Sequence, residues 1–247
     1  DEGQVDLSGK AGGYGFNAGV LVHITPKLDV GASYKSSIKY KATNGSAQFT
    51  VPTALVDSFP NTDISTTLQI PWSLDMGITY RPEPKLAISF DVNYVGWKVY
   101  DKVDIDFAQN TSVISDITLP RNFKNALTFR LGGSYDIDSA FTIRFGTYLD
   151  LNPVPDGFVP PETPDADRFA ITLGGTLHGG DRFDLDVSLT YLESVKRTEL
   201  QADNYANIGG TYKGRAITIG VALNFNLAKK QKSVIIENPT APWSIGM

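Results

Sequence analysis

His23 and His178 are the only imidazoles in the chain, and cysteine is absent. Hydrolysis of an acyl bond would need one of these histidines beside a serine and oriented by a third group. Each instead falls immediately before a short turn, where a turn or lumen polar group is the simpler reading. Asp104 and Asp106 stand at i and i+2 on one strand face, but neither an EF-hand loop nor a histidine pair accompanies them, so no metal is expected. Without thiols there is no disulfide framework and no cysteine-bound zinc. Glycine-rich phosphate loops are missing as well, no cofactor is expected, and the chain does not read as an enzyme. The charges that recur have another use. Lys35, Lys39, Asp75, Asp91, Arg130, Arg144, Asp184 and Asp186 all fall on the polar rows of alternating segments, where both signs together suit the wall of a water-filled or ligand-filled space. Buried in a dry sandwich, so many charges would be very costly.

Those rows require strands to hold them. In 86–97 the residues Leu86, Ile88, Phe90, Val92 and Tyr94 are apolar, and Ser89, Asp91 and Asn93 between them are polar, which is the period of a strand. The same alternation predicts nine strands, over 14–24, 28–41, 72–80, 86–107, 123–135, 141–149, 169–177, 183–191 and 216–227, with a further short strand allowed at 47–51. Short turns near 25, 82, 137 and 180 alternate strictly with long connections at 44–65, 108–118, 152–167 and 197–213. An up-and-down sheet with tight turns on one rim and large loops on the other has this rhythm, and bacterial outer-membrane barrels place the tight turns in the periplasm. Tyr80 and Tyr135 before the short turns, and Trp72 and Trp97 toward the other rim, fit two interfacial aromatic belts. The fold expected is all-β, an antiparallel up-and-down transmembrane β-barrel.

Composition agrees. The 247 residues are 41% hydrophobic and 20% charged, which suits one large β domain. No apolar run reaches the about 18 residues of a membrane-spanning helix, but a barrel hides its apolar band in alternation. The net charge of −5 argues against a nucleic-acid partner. The chain starts at Asp1 without a basic and apolar leader, so a signal peptide is expected to have been removed or to lie outside this segment.

Several stretches carry a family likeness: 15–19 (Gly-Phe-Asn-Ala-Gly), the Leu-x-x-Gly-x-x-Tyr-Arg-Pro run that ends at Pro82, 91–97, 123–126 (Phe-Lys-Asn-Ala), Pro153-Val154-Pro155, and the Pro-Asp-Ala-Asp-Arg-Phe of 164–169. In order and spacing, over roughly residues 11–227, the chain resembles the C-terminal part of FadL/TodX-type outer-membrane transporters of long-chain fatty acids and other hydrophobic compounds. The resemblance implies a 14-stranded barrel with an N-terminal hatch, of which nine strands stand here, in the bacterial outer membrane. It implies passive diffusion of a fatty acid or other hydrophobic ligand, which first meets an apolar groove on the loops and then a buried pocket. Outer-membrane lipid is the expected surround. A second chain is a possible source of the missing strands and hatch, because an open sheet edge is too costly in hydrocarbon. The expected division is a barrel over 1–228 and a tail over 229–247.

In that family basic groups hold the ligand's carboxylate. Leu119 stands at the closest matching position of one of them, and Arg121, two residues on, lies on the same face of an extended chain and can substitute. Lys124 matches a family lysine beside Phe123, and Pro153, Val154 and Pro155 shape a loop near the mouth. Asp165, Asp167 and Arg168 read as a salt-bridged corner. Two other uses stay open: a barrel serving as scaffold or shuttle subunit of a secretion or envelope complex, and a general porin.

Overall fold

The computed structural model describes residues 3–160, 164–180 and 182–225. Leu227, the 228–247 tail, Pro161 in the third connection and Asp181 in the last tight turn lie outside the described residues.

Among the described residues sixteen strands follow one another: β1 Gln4–Ser8, β2 Asn17–Thr25, β3 Leu28–Lys35, β4 Ile38–Thr50, β5 Thr62–Ile70, β6 Ser73–Glu83, β7 Leu86–Val95, β8 Lys102–Phe107, β9 Ile117–Pro120, β10 Ala126–Asp136, β11 Phe141–Asp150, β12 Arg168–His178, β13 Phe183–Ser194, β14 Arg197–Glu199, β15 Gly210–Tyr212 and β16 Arg215–Phe225. Nine of them form one antiparallel sheet, ordered β2-β3-β6-β7-β10-β11-β12-β13-β16. They correspond in number and order to the nine expected spans, with several bounds shifted, and each pairs with the next in the sheet. They run 8 to 12 residues, the length a tilted strand needs to cross a bilayer.

Each tight turn has a local cause. Pro26 fixes φ between β2 and β3, and the Lys27 amide donates to Thr25 Oγ1 at 3.2 Å. Between β10 and β11, Asp138 Oδ1 accepts the amides of Ala140 and Phe141 at 2.8 and 2.9 Å.

The long connections are less irregular than their sequence suggests. β1, β4, β5, β8 and β9 build a second, five-stranded sheet, in the order β1-β4-β5-β8-β9, on the long-loop side. Two expected strands are therefore each cut in two. The span read as 28–41 breaks at Ser36, whose amide donates to Phe16 O (2.9 Å), and it resumes as β4 in the other sheet. The span read as 86–107 breaks at Gly96, which lies so close under the Trp72 indole that any Cβ would collide with it. A 3-10 turn at Trp97–Val99 then redirects the chain into β8. Lys39 accordingly sits in the second sheet and not on the barrel wall. At the other end, the strand expected from 123 begins only at Ala126, opposite Val95 where its partner β7 ends, and Asn122 before it takes a left-handed φ of 50°. Tyr14 and Phe16 likewise precede β2.

The second sheet is amphipathic. Ala47, Ile64, Phe107 and Ile114 form a buried cluster on one face, with Phe49, Phe59 and Ile105 packed against it, while Asp63, Ser65, Asp104, Asp106 and Thr118 alternate onto the other. There Lys102 Nζ meets Asp104 Oδ2 at 2.8 Å, and Thr118 donates to Asp104 Oδ1 at 2.8 Å. The hydrogen bond from Lys102, then that from Thr118, holds the Asp104 carboxyl below its ordinary 3.8, and the same pairing raises Lys102 above 10.5. A lowered acid adds stability that is complete above its ordinary value and lost as pH falls through the folded one; a raised amine adds stability that is complete below 10.5 and lost above it. The β8–β9 seam is thus expected to be indifferent to pH between these limits and to loosen outside them. A carboxyl NMR titration of Asp104 checks this: its midpoint should rise toward 3.8 in Lys102→Met, and an unmoved midpoint refutes the coupling.

Candidate ligand pathway and loop mouth

The two faces of the nine-stranded sheet differ in kind. On one, Val20, Val30, Ile78, Phe90, Leu131, Phe145, Leu173, Leu189 and Ile219 form a continuous exposed apolar surface. The buried apolar cluster identified among the described residues belongs to the five-stranded sheet, and among those residues no layer covers this one. In water such a surface would be an aggregation site; facing lipid tails it is stable. Toward the long-loop rim it ends in a file of rings, Phe16 to Tyr34 at 5.8 Å, Tyr34 to Trp72 at 6.2 Å and Trp72 to Tyr94 at 5.4 Å. Tyr80 and Tyr135 end it toward the short turns.

The other face is a polar wall. Asn93 Nδ2 donates to Asp75 Oδ1 (2.6 Å), Thr128 to Asp150 (2.6 Å), and Arg168 Nη2 to Asp150 Oδ2 (2.7 Å). Deeper, Arg144 donates to Thr176, Thr176 to Asp186, and Asn224 Nδ2 to Asp186 at 2.8 Å. The histidines repeat one contact, His23 Nδ1 to Asp29 at 2.5 Å and His178 Nδ1 to Asp184 at 2.7 Å, each across its tight turn. Thr142 Oγ1 lies 3.0 Å from His178 Nε2, which completes a hydroxyl–imidazole–carboxylate file. Its only proton, however, goes to Asp136 (2.7 Å), so imidazole does not receive it and the hydroxyl is not an activated nucleophile.

Above the wall the third and fourth long loops pack together. Pro153 and Val154 are buried, Pro155 is half-buried, and Val159 is 1% exposed. Arg197, with an 11% exposed side chain, donates to Asn152 Oδ1 (3.0 Å), Asp165 O (3.0 Å), Asp156 Oδ1 (2.8 Å) and Glu199 Oε1 (3.2 Å). Glu199 in turn accepts the Gly157 amide at 2.9 Å. Asn204 Nδ2 donates to Val159 O at 3.0 Å, and Tyr205 stacks on Phe158 with centroids 5.7 Å apart. The sequence reading passed over Arg197, Glu199, Asn204 and Tyr205, whose only local signal is an i, i+2 charge pair.

Of the residues singled out from sequence, Arg121 reaches this cluster through Nη1 to the Tyr205 hydroxyl at 3.3 Å. The Lys124 amide donates to Pro153 O at 2.8 Å, while its side chain is exposed. Phe123, beyond the left-handed Asn122, stands in a ring trio with Trp97 (5.8 Å) and Tyr100 (5.1 Å). Arg168 meets Asp150 at 2.7 Å and Asp165 at 3.8 Å, and Asp167 Oδ1 accepts from Asn152 Nδ2 at 2.7 Å, which makes the corner expected there.

Residues 4–227 match the model of the family described as outer membrane protein transport protein (OMPP1/FadL/TodX). The long-chain fatty acid transport protein of Escherichia coli O6:H1 is 26% identical over 234 residues, covering 90% of this chain and 51% of that protein. Outer membrane protein P1 of Haemophilus influenzae is 25% identical over 197 residues, covering 79% and 41%. Among solved structures, a Pseudomonas aeruginosa FadL homologue superposes with a TM-score of 0.65 at 19% identity, covering 85% of this chain and 50% of that one. The Pseudomonas putida toluene transporter TodX gives 0.59 at 16% identity, covering 90% and 52%. The chain spans about half the length of the curated relatives it matches.

Proposed function

Because this chain belongs to the outer membrane protein transport family (OMPP1/FadL/TodX) and has the β-barrel fold of its solved neighbours, we propose that it supplies nine strands of a bacterial outer-membrane barrel that passes hydrophobic small molecules by diffusion, without catalysis. The single observation that carries the reading is the division of the sheet, an uncovered apolar face on one side and a charge-lined wall under packed loops on the other. A greasy molecule cannot cross the polar outer leaflet unaided, and such a wall gives it a sheltered route. Relatives are named for long-chain fatty acid and for toluene. Fatty acids or aromatic hydrocarbons are therefore the cargo classes proposed.

Within this reading, Arg121 and Lys124 meet an anionic head at the mouth, Phe123 adds an aromatic contact, and Pro153, Val154 and Pro155 hold the loop that shapes it. The division into a barrel over 1–228 and a tail over 229–247, with outer-membrane lipid around it and the remaining strands and hatch from the rest of the protein or a second chain, belongs to the same proposal. The test is to purify the full-length protein from its native membrane, identify bound molecules by mass spectrometry and measure cargo uptake after deletion. An acyl or aromatic molecule in the preparation together with an uptake defect is the expected result. A lipid-free pore that conducts ions, or an empty barrel that co-purifies with secretion subunits, overturns it.

A further inference from the structure

We propose that Lys213 and Arg215, on the lipid-facing side of the long-loop rim, bind the phosphate of an acylated outer-leaflet lipid whose chains lie down the apolar face beneath them, an assignment that rests on the membrane reading and is independent of the cargo. One row of the outward face can be followed by register. Met76, Val92, Phe129, Leu149 and Phe169 cross β6, β7, β10, β11 and β12, and the row then ends in Glu193 on β13 and Arg215 on β16. Arg215 shares the parity of Ile217 and Ile219, so it points with them toward lipid and away from the lumen. A charge on that side is costly at mid-depth and accepted only near an interface. Glu193 is the residue before the last of β13 and Arg215 opens β16, which sets both at the long-loop rim, level with the headgroups.

Glu193 gathers the two cations. Its Oε1 takes Lys213 Nζ at 2.7 Å and Arg215 Nε and Nη2 at 3.3 and 3.2 Å, and its Oε2 accepts the Tyr191 hydroxyl at 2.8 Å. Two cations on one carboxylate leave a positive charge in excess, and neither the ammonium nor the guanidinium gives all its donors to that contact. The Lys213 and Arg215 side chains remain 43% and 63% exposed, so an anion can reach them. A guanidinium beside an ammonium suits the several oxygens of one phosphate. Directly beneath come Tyr191 with Ile217, then Leu189 with Ile219, an apolar track for acyl chains. The cations of the opposite rim are spent differently. Lys27 Nζ donates to Pro82 O at 2.7 Å, Lys85 Nζ to Ile137 O at 3.0 Å, and Arg81 pairs with Asp29, each on its own turn. Charge and grease thus combine on the outward face at β13 and β16, as a phosphorylated, acylated lipid requires.

Native mass spectrometry of the full-length protein, titrated in detergent with bis-phosphorylated lipid A and with the same lipid stripped of phosphate, tests the assignment, and gel mobility without heating confirms folding. Lys213→Gln combined with Arg215→Gln should weaken the phosphorylated lipid about tenfold and leave the stripped one unchanged. Arg215→Lys alone, which keeps both charges, should retain most of the binding. Ile217→Asn should weaken both lipids alike, and an excess of inorganic phosphate should not displace the lipid, because it brings no chains. A double variant that binds the phosphorylated lipid as the wild type does, or loses both lipids equally, or a wild type whose lipid is displaced by inorganic phosphate, overturns this site. Cargo uptake by the double variant should stay at the wild-type level, so the transport reading stands or falls separately. A full-length protein that does not enter lipid vesicles at all overturns the membrane reading beneath both.

Discussion

Arg197→Ala is expected to release the third and fourth loops from each other while the barrel wall stays folded. The Arg197 and Glu199 side chains are 11% and 3% exposed, and the guanidinium is the only cation on the Glu199 carboxylate among the described residues. Deleting one member of a buried pair leaves the other charged and unsolvated, which costs about 3–5 kcal/mol. Asp165 O and Asp156 Oδ1 lose this donor at the same time, while Asn152 Oδ1 keeps the Val154 amide. The Asp156 contact adds little, since that carboxylate is 99% exposed and screened. Hydrogen exchange should therefore speed up in 152–160 and 197–209 and remain slow in β10 to β13. Replacing both partners, Arg197→Met with Glu199→Met, should restore the part of the protection that the buried charge removes, while the Gly157 amide and Asp165 O still lack their partners. A single variant whose loops exchange at the wild-type rate would mean that water already reaches the pair.

The contrast between what could and could not be read from sequence follows from range. The nine spans were legible because a lipid-facing strand writes its environment into every second residue, as in Phe183, Leu185, Val187, Leu189 and Tyr191. The same rule concealed the second sheet. Ile38 and Tyr40 continue the alternation of Val30 and Ala32 without a break, since both sheets are amphipathic with period two, and nothing local records that the chain changes sheets at Ser36. Gly96 under Trp72 is likewise invisible until the indole is placed. In the mouth, Arg121 and the Pro153–Pro155 run were reached through likeness to a family, whereas Arg197 was missed because its partners Asn152 and Asp156 stand 45 and 41 residues away.

Leu173→Arg against Thr172→Arg decides the sidedness on which the whole reading stands. Both residues sit at the middle of β12, one step apart, so depth and strand propensity are matched and only the face differs. Leu173 lies between Phe145 and Leu189 on the apolar face and is 56% exposed. Thr172 lies between Gly146 and Thr190 on the polar one, where small neighbours leave room for a longer side chain. An arginine placed against lipid at the bilayer midplane costs about 2–4 kcal/mol, falling to about 0–1 near the interfaces, whereas the lumen accepts charge. In denaturant unfolding of the full-length protein from lipid vesicles, Leu173→Arg should lose that amount, Thr172→Arg little, and Phe169→Arg or Leu177→Arg near the rims less than Leu173→Arg. The depth profile matters as much as the contrast. A soluble protein that buried its apolar face under another layer would lose stability wherever that layer packed, without a maximum at mid-strand. If Thr172→Arg proves the costlier of the central pair, the polar row is the packed face, and the membrane assignment and the inner wall fall with it.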